Sequence, residues 1–333
     1  MPDKTLNIYW LDDQIIRFQE FKQVLEDSGQ DFALDVHVNT IEVDENIINL
    51  ISSWEKNAPV PAPDLFMLDH IFVEHLPLRM NGNTLAHLLR KIFPSVPLVS
   101  VTAMYSDRNQ SGQEVHEYTA IFHYNKLSDC IEELFSVARD YSRLKFTTWE
   151  AFVHELHVPD SECSVLHMAI PQELLDEYTP TKHSQLVKWV RTVLLKNPGF
   201  LFDELHAATF LGLSVAGFQK VKPMFAEALY RGPFATSNKP VWWQTRLRDC
   251  LYRIVGVDAP DYTQAAGRLI PTVEEADFCK CYVTGITDAT DFVVAEAHPN
   301  QVWEVVRERY AKKNPNSIGM SLGFNQALII DGQ

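Results

Sequence analysis

The sequence predicts an α/β domain with a doubly wound, five-stranded parallel sheet, followed by a mostly helical α+β domain. Short apolar runs alternate with longer amphipathic runs through residues 6–143. Strands joined by helical crossovers form a parallel sheet with helices on both faces. Beyond residue 144 this alternation ends. We therefore predict the sheet domain over 1–144, a connector over 145–180 and an output domain over 181–333.

Each element of the first domain has its own signal. The strands are short and apolar or alternating, whereas the helices repeat apolar residues every three or four positions. The predicted strands are 6–13, 32–39, 64–72, 97–104 and 119–126. The predicted helices are 15–29, 45–58, 82–94, 106–118 and 127–144. Gly29 and Pro94 end the first and third helices, and Ser128 is the predicted N-cap of the fifth.

Polar residues stand at or near the ends of four predicted strands. Asp12 and Asp13 end the first strand, Asp69 lies towards the end of the third, Thr102 ends the fourth and Lys126 ends the fifth. Functional groups gather at the carboxyl ends of such strands. Three carboxylates close together need a cation, and Mg²⁺ prefers oxygen ligands. Asp69 can then act as a nucleophile towards a phosphoryl donor, with Lys126 and Thr102 contacting the phosphoryl oxygens.

This order of residues resembles the receiver domain of two-component response regulators, over residues 1–144. The resemblance implies a flavodoxin-like fold and phosphorylation of Asp69 by a histidine kinase or a phosphotransfer protein. It also implies Mg²⁺ as the cofactor. The metal ligands that it implies are Asp12, Asp13, Asp69 and the backbone carbonyl of Ile71.

The resemblance implies a switch as well. His123, three residues before Lys126, takes the place of the family's rotating aromatic or histidine side chain. The responding face comprises the fourth helix, fifth strand and fifth helix, and dimerisation is one expected response. Two features depart from the family. Leu127 replaces the usual Pro, which predicts a trans bond and a shifted Lys loop because cis without Pro costs ~3 kcal/mol. The loop over 70–83 is also longer than usual and holds two histidines.

Residues 206–221 (HAATFLGLSVAGFQKV) have the offsets of a helix-turn-helix unit. Such a unit needs a small residue where its helices touch, a turn glycine and an apolar residue on the second helix. Ala208, Gly212 and Phe218 fit these roles, and Ser214 is a candidate cap of the second helix. We favour a helical pair that serves packing or protein contact over a DNA reader.

Charge also disfavours nucleic-acid binding. The formal net charge is -15, divided as -11 over residues 1–144 and -4 over the remainder. Proteins that bind the DNA backbone usually carry a basic excess. The second helix of the unit offers few polar DNA contacts: Gln219, Lys220 and Lys222.

Residues 231–255 predict a turn-rich lead and then a helix that begins with Trp242 and Trp243. Aromatic residues mixed with arginines can bind anions or nucleic acid, but a tryptophan pair at helical spacing is more often core, which we favour. The arginines of this segment are Arg246, Arg248 and Arg253.

The last part of the chain has two further patterns. Cys279 and Cys281 form a Cys-x-Cys pair with no second pair, so we expect them to face one side of a strand rather than to bind zinc. Residues 298–314 have the spacing of an amphipathic helix with a basic end.

Together these features predict a cytoplasmic response regulator. Five scattered cysteines favour a reducing compartment, the N-terminus does not resemble a signal peptide, and no run approaches the ~18 apolar residues of a membrane span. Enzyme motifs such as a P-loop or GxGxxG are missing, so we expect no enzymatic output. Phosphorylation of Asp69 should control interaction with a downstream protein. The alternatives are a phosphorylation-dependent transcription regulator and an effector enzyme with an unfamiliar site.

Overall fold

The structure of the protein, a computed structural model, divides into two compact units. It describes residues 4–69, 82–102, 118–145, 148–175, 179–256, 258–297, 302–314 and 327–331. The first unit comprises Met1–Phe152 and Glu173–Trp189, and the second comprises Val153–Gln172 and Val190–Gln333. No helix among the described residues has the length and apolar character needed to cross a membrane.

Five parallel strands form the sheet of the first unit, in the order β2-β1-β3-β4-β5. The strands are β1 (Lys4–Asp12), β2 (Leu34–Glu42), β3 (Leu65–Asp69), β4 (Leu98–Thr102) and β5 (Ala120–His123). The chain runs outward from β1 to one edge and then returns past β1 to build the other side. This doubly wound order is the flavodoxin-like one, so the predicted fold class is confirmed.

The helices follow the predicted alternation in the first unit and dominate the early part of the second. The first seven are α1 (Ile15–Gly29), α2 (Ile47–Ser53), α3 (Gly82–Ile92), α4 (Ile131–Asp140), α5 (Trp149–Glu155), α6 (Cys163–Ala169) and α7 (Pro180–Trp189). The others are α8 (Glu204–Phe210), α9 (Val215–Val221), α10 (Gln244–Val255) and α11 (Thr263–Gly267).

Alternate residues of β1 face opposite sides of the sheet. Leu6, Ile8 and Trp10 belong to one buried apolar cluster, to which α1 and α4 contribute. Tyr9 and Leu11 belong to a second cluster, to which α2 and α3 contribute. Every residue of β3 and β4 is buried, as expected for central strands covered on both faces.

The end of the fifth strand differs from the prediction. β5 stops at His123, and Tyr124–Lys126 form a 3₁₀ turn instead of continuing the strand. Leu127 follows this turn and is fully buried in the core. The bond between Lys126 and Leu127 is trans, as predicted, since the cis bond in the described part of the chain is Val60–Pro61. Burial of Leu127 explains why the chain turns inward here.

The fifth predicted helix, 127–144, is broken into three pieces. A 3₁₀ turn at Ser128–Cys130 precedes α4, and a second 3₁₀ turn follows it. The prediction of Ser128 as the N-cap is wrong, because Cys130 precedes the first residue of α4 and provides no side-chain cap. The fourth predicted helix, 106–118, lies outside the described residues except for Tyr118.

Two antiparallel strands and a four-stranded sheet accompany the helices of the second unit. The strands are β6 (Leu201–Phe202), β7 (Trp242–Trp243), β8 (Phe292–Ala297), β9 (Val302–Arg307), β10 (Ala311–Lys313) and β11 (Leu328–Ile330). The last four form the sheet β10-β11-β8-β9. Trp242 and Trp243 are buried, as expected of core residues. They form β7 rather than the start of a helix, because α10 begins one residue later.

The prediction of an amphipathic helix over 298–314 is wrong. The described part of this segment consists of β9, a 3₁₀ turn and β10. β9 pairs with β8 along its whole length, and Val306 is fully buried. β-Branched residues suit such a strand, so pairing with β8 outweighs the local helical spacing.

The Cys-x-Cys pair also lies elsewhere than predicted. Cys279 and Cys281 stand outside the strands, in a turn-rich segment, and both are buried in the apolar cluster beside the four-stranded sheet. Burial raises the pKa of the Cys279 thiol to about 12. Neither cysteine belongs to a group of three metal-ligating side chains among the described residues.

The two compact units divide the chain differently from the predicted domain boundaries. Residues 173–189, which include α7, group with the first unit, whereas 153–172 group with the second. The predicted connector at 145–180 therefore contributes to both units. The boundaries of independently folding domains stay a prediction, because contacts within one chain do not show which fragments fold alone.

Candidate functional site

Three carboxylates meet at the carboxyl edge of the parallel sheet. β1 and β3 are neighbours, and Leu11 pairs with Leu68, so Asp12 and Asp69 follow paired positions. One carboxylate oxygen from each of Asp12, Asp13 and Asp69 lies within 4.8 Å of the others. We call these three residues the acidic cluster. Topology brings them together across almost sixty residues of sequence.

The acidic cluster is largely removed from water. Asp12 and Asp69 are only 2% and 4% exposed, whereas Asp13 is half-buried. The backbone N–H of Gln14 donates to Asp12 Oδ1 at 2.9 Å, and the backbone N–H of Val43 donates to the Asp12 carbonyl at 2.9 Å. These bonds hold the end of β1 in place and orient its carboxylate.

The donor set fits a hard divalent cation such as Mg²⁺. Buried carboxylates are costly unless a cation or hydrogen bonds compensate their charge. Mg²⁺ takes oxygen ligands and is usually held by one or two carboxylates together with waters. The residues that would hold it are those of the acidic cluster. Ile71, whose carbonyl was the fourth predicted ligand, lies outside the described residues.

Thr102 and His123 stand beside each other on the next two strands. Thr102 is the last residue of β4 and is 2% exposed. It is paired with His123, the half-buried last residue of β5. Asp69 is paired with Val101, so Thr102 lies one residue beyond the partner of the predicted phosphoacceptor. The predicted switch residue is therefore next to the predicted phosphoryl contact.

Lys126 occupies a different local structure from the one predicted. It is the last residue of the 3₁₀ turn after β5, and it is exposed. The backbone N–H of Leu127 donates to the carbonyl of Tyr124 at 3.1 Å, which closes this turn. The buried Leu127 side chain thus fixes the end of the turn that carries the lysine.

Gly82 is a positioning residue that the sequence did not reveal. It is the first described residue after Asp69 and the first residue of α3. A methyl group at this position would overlap the backbone carbonyl of Asp69 and would lie 2.8 Å from Tyr118 Oη. The available sequence signal, a glycine at the start of a helix, did not indicate which strand the helix would approach.

The strand order decides the fold of this unit. The first unit has the flavodoxin-like, doubly wound fold, with the acidic cluster at the carboxyl edge of its sheet. No protein-family model matches the sequence, and no curated protein matches it. Solved structures do show similarity, and the receiver domains among them correspond to the N-terminal two-fifths of the chain.

Three of these similar structures illustrate the extent of the match. The signal receiver domain of NarL from Mycobacterium tuberculosis has 16% identity and a TM-score of 0.31, with 41% of this chain and 98% of that chain covered. The receiver domain of NtrX from Brucella abortus has 14% identity and a TM-score of 0.28, covering 39% and 96%. The RcsB response regulator of Salmonella typhimurium has 17% identity and a TM-score of 0.32, covering 58% and 88%.

In the second unit, α8 and α9 form the helical pair predicted at 206–221. Gly212 adopts a φ of 72° in the turn between them, a conformation that favours glycine. The backbone N–H of Gly217 donates to Ser214 Oγ at 3.0 Å, so the predicted cap of α9 is confirmed. Ala208 and Phe218 are fully buried in the core around Trp242.

The residues predicted as DNA contacts are engaged with acidic side chains. Lys220 Nζ lies 2.5 Å from Asp277 Oδ1, and this hydrogen bond raises the pKa of Lys220 and lowers that of Asp277. Lys222 Nζ lies 3.2 Å from Glu204 Oε1, and Gln219 donates to Glu204 Oε2 at 3.4 Å. The positive charge of this surface is therefore locally compensated.

Proposed function

We propose that this protein is a response regulator in which Asp69 accepts a phosphoryl group and thereby controls protein–protein interaction. The observation that carries the proposal is the acidic cluster at the edge of a receiver-type sheet. The phosphoryl donor would be a histidine kinase or a phosphotransfer protein. We place the protein in the cytoplasm, where its five free cysteines would stay reduced.

The proposed chemistry is nucleophilic attack by the Asp69 carboxylate on the phosphorus atom of the donor. An O–P bond forms to Asp69 while the bond from phosphorus to the leaving group breaks, and the leaving group keeps the electron pair. A bound Mg²⁺ would supply positive charge to the phosphoryl oxygens. Asp12 and Asp13 would hold that ion, and the Thr102 hydroxyl would donate a hydrogen bond to a phosphoryl oxygen.

Lys126 and His123 would link this chemistry to the surface. Lys126 is exposed on the turn after β5, so its ammonium group is free to approach the new negative charge at Asp69. His123 is paired with Thr102, so movement of Thr102 towards the phosphoryl group would change the packing of His123. We propose that this change alters the binding of a downstream protein or a second copy of the chain.

The proposed output is protein contact rather than catalysis or DNA binding. The net charge of -15 and the ion pairs of Lys220 and Lys222 support this choice. We propose no enzymatic output beyond the phosphorylation and dephosphorylation of Asp69. The capped pair α8–α9 favours one alternative, a phosphorylation-dependent transcription regulator.

The deciding experiment is intact-mass analysis after incubation with acetyl phosphate and Mg²⁺. We expect one added phosphoryl group on the wild type, none on Asp69→Asn, and full phosphorylation of Asp129→Asn, which alters an exposed acid of the turn before α4. Size-exclusion chromatography of the same samples would detect a change in assembly. Equal phosphorylation of wild type and Asp69→Asn, or none in either together with no binding of beryllofluoride, would contradict the proposal.

The DNA-binding alternative has its own test. If α9 reads DNA, the phosphorylated protein should bind duplex DNA at low salt, and Lys220→Glu with Lys222→Glu should abolish binding. Lys280→Glu, an exposed lysine outside the helical pair, is the matched control. No duplex binding at low salt by either form would exclude this alternative.

A further inference from the structure

A cavity of about 800 Å³ in the second unit is lined by three arginines. Three separate parts of the chain line it: His157, the segment 226–231 and one face of α10. The guanidinium groups at its wall belong to Arg231, Arg246 and Arg253. Two acidic side chains, Glu227 and Asp249, also line the cavity, so its lining keeps a small positive balance, whereas the whole chain has a net charge of -15.

The geometry of α10 explains how its arginines reach the cavity. Arg246, Asp249, Cys250 and Arg253 line the cavity and follow the spacing of one helical face. The neighbouring apolar stripe of the helix, which includes Leu247 and Leu251, is fully buried in the core. Packing of this stripe therefore turns two of the three helix arginines towards the cavity.

The hydrogen bonds of the three arginines differ. Arg253 Nη2 is 2.6 Å from Glu227 Oε2, so the carboxylate of Glu227 is already paired. Arg231 makes one long bond, from Nη2 to the carbonyl of Ala226 at 3.4 Å. Arg246 donates no hydrogen bond to any described residue. Burial raises the pKa of Glu162, and the positive charge of Arg246 opposes that rise by electrostatic attraction alone. Two guanidinium groups thus keep most of their donors available.

We propose that this cavity binds a small phosphate-bearing molecule, with its phosphate held by Arg231 and Arg246. Arginine presents several N–H donors in a fork that matches pairs of phosphate oxygens. The cavity volume is within the range of small-molecule sites. Arg253, paired with Glu227, would stay at the rim as a fixed charge.

The lining residues favour a small molecule over nucleic acid. Single-stranded nucleic acids need aromatic side chains on which bases stack. Among the described residues, the only ring in the lining of this cavity is the imidazole of His157. Asp249 also lines the cavity, and its carboxylate would repel a nucleic-acid backbone, with its many negative charges, more strongly than a small ligand. This proposal is independent of phosphorylation at Asp69.

The test is isothermal titration of the full-length chain with inorganic pyrophosphate, in EDTA and at constant ionic strength. EDTA prevents a metal-bound anion at the acidic cluster from contributing. We expect binding by the wild type, at least about tenfold weaker binding by Arg231→Gln and by Arg246→Gln, and undiminished binding by Asp69→Asn. Circular dichroism would establish that each variant keeps its fold.

Arg248→Gln is the matched control. Arg248 lies on the same helix and is exposed, but it does not line the cavity. The Arg248→Gln variant should bind pyrophosphate as the wild type does. Equal loss in Arg248→Gln, or no loss in Arg231→Gln and Arg246→Gln, would overturn the proposal. Equal affinity for citrate, or tighter binding of duplex DNA through the same arginines, would overturn the assignment to a small phosphate-bearing ligand.

Discussion

At the residue scale, the predicted phosphoacceptor depends on close packing behind it. Asp69 ends a fully buried strand, and its backbone carbonyl lies against Gly82 at the start of α3. A side chain at Gly82 could be accommodated only if the helix or the end of β3 moved. The position of Asp69 is therefore set by a neighbour that carries no functional group.

We predict that Gly82→Ala lowers phosphorylation of Asp69. The added methyl group would displace the Asp69 backbone and cost about 1–3 kcal/mol through overpacking. The rate of acetyl-phosphate labelling and the free energy of unfolding measure the two effects. Asn83→Ala, at the next position, adds no atom against Asp69 and should retain both. Wild-type labelling of Gly82→Ala would show that the contact does not position the carboxylate.

Leu127 gives a second example of a residue that serves packing, at the position where the resemblance to receiver domains predicts a proline. Its side chain is fully buried, and its backbone N–H donates to the Tyr124 carbonyl. Leu127→Pro would remove both contributions. We predict a loss of roughly 3 kcal/mol or more in the free energy of unfolding, measured by urea denaturation.

Leu127→Ala separates the two contributions of this residue. It removes the side chain but keeps the N–H, so it should be less damaging than Leu127→Pro. If Leu127→Pro were as stable as the wild type and phosphorylated faster, a proline at this position would be compatible with this fold, contrary to our interpretation.

At the scale of elements, hydrogen bonds among several polar side chains connect α7 to the 3₁₀ turn that follows α4. Tyr141 Oη and Ser184 Oγ are 2.6 Å apart, and Arg90 donates to Tyr141 Oη at 3.3 Å. His183 Nε2 donates to the backbone carbonyl of Tyr141 at 2.9 Å, and the two rings are in contact. These contacts explain why residues 173–189 belong to the first unit.

Burial lowers the pKa of His183 to about 4, and the charges of Arg90 and Lys145 act in the same direction, while the bond to Tyr141 opposes them. The unfolded chain, with a histidine pKa near 6.5, therefore binds a proton that the folded chain does not. The stability that the neutral, buried His183 contributes is therefore complete above about pH 6.5 and is lost as the pH falls towards 4.

We predict that proton uptake by His183 in the unfolded chain lowers the free energy of unfolding by about 2 kcal/mol as the pH falls from 7.5 to 5. Urea denaturation at both pH values measures the effect. In His183→Gln this part of the pH dependence should disappear, whereas His37→Gln, which changes an exposed histidine, should keep it. Identical pH dependence in wild type and His183→Gln would contradict the assignment.

At the scale of the whole molecule, the order of the chain does not match the order of the compact units. The segment 153–172 groups with the second unit, and α7 then returns to the first. A fragment that stops at the end of the receiver-like sequence therefore lacks the partners of Tyr141. This arrangement predicts that the smallest stable fragment of the first unit extends through α7.

We predict that fragment 1–189 is more stable than fragment 1–172. The longer fragment retains the bonds of Tyr141 to His183 and Ser184, which contribute about 0.5–1.5 kcal/mol each. Thermal denaturation of the two fragments measures the difference. Fragment 1–152 is the control for added length, because 153–172 should contribute little alone. Equal melting temperatures for all three fragments would contradict this division.

Local patterns determined the sheet and much of the candidate site. The run Leu65–Asp69 is largely apolar because a central strand is buried on both faces, so the positions of such strands could be predicted. Once five strands are placed, parallel topology requires that Asp12, Asp69 and Thr102 share one edge. The helical pair at 206–221 was also predictable, because the turn at Gly212 and the cap at Ser214 depend only on residues a few positions away in sequence.

Tertiary structure decided the features that depend on distant partners. Residues 302–307 became a strand because β8 was available to pair with them, and Leu127 ended the Lys126 turn because the core received its side chain. Gly82, the partners of Tyr141 and the arginine cavity likewise depend on contacts between segments far apart in sequence. Spacing along the chain reports periodicity and local hydrogen bonds, whereas burial and charge pairing between distant segments are settled only by packing.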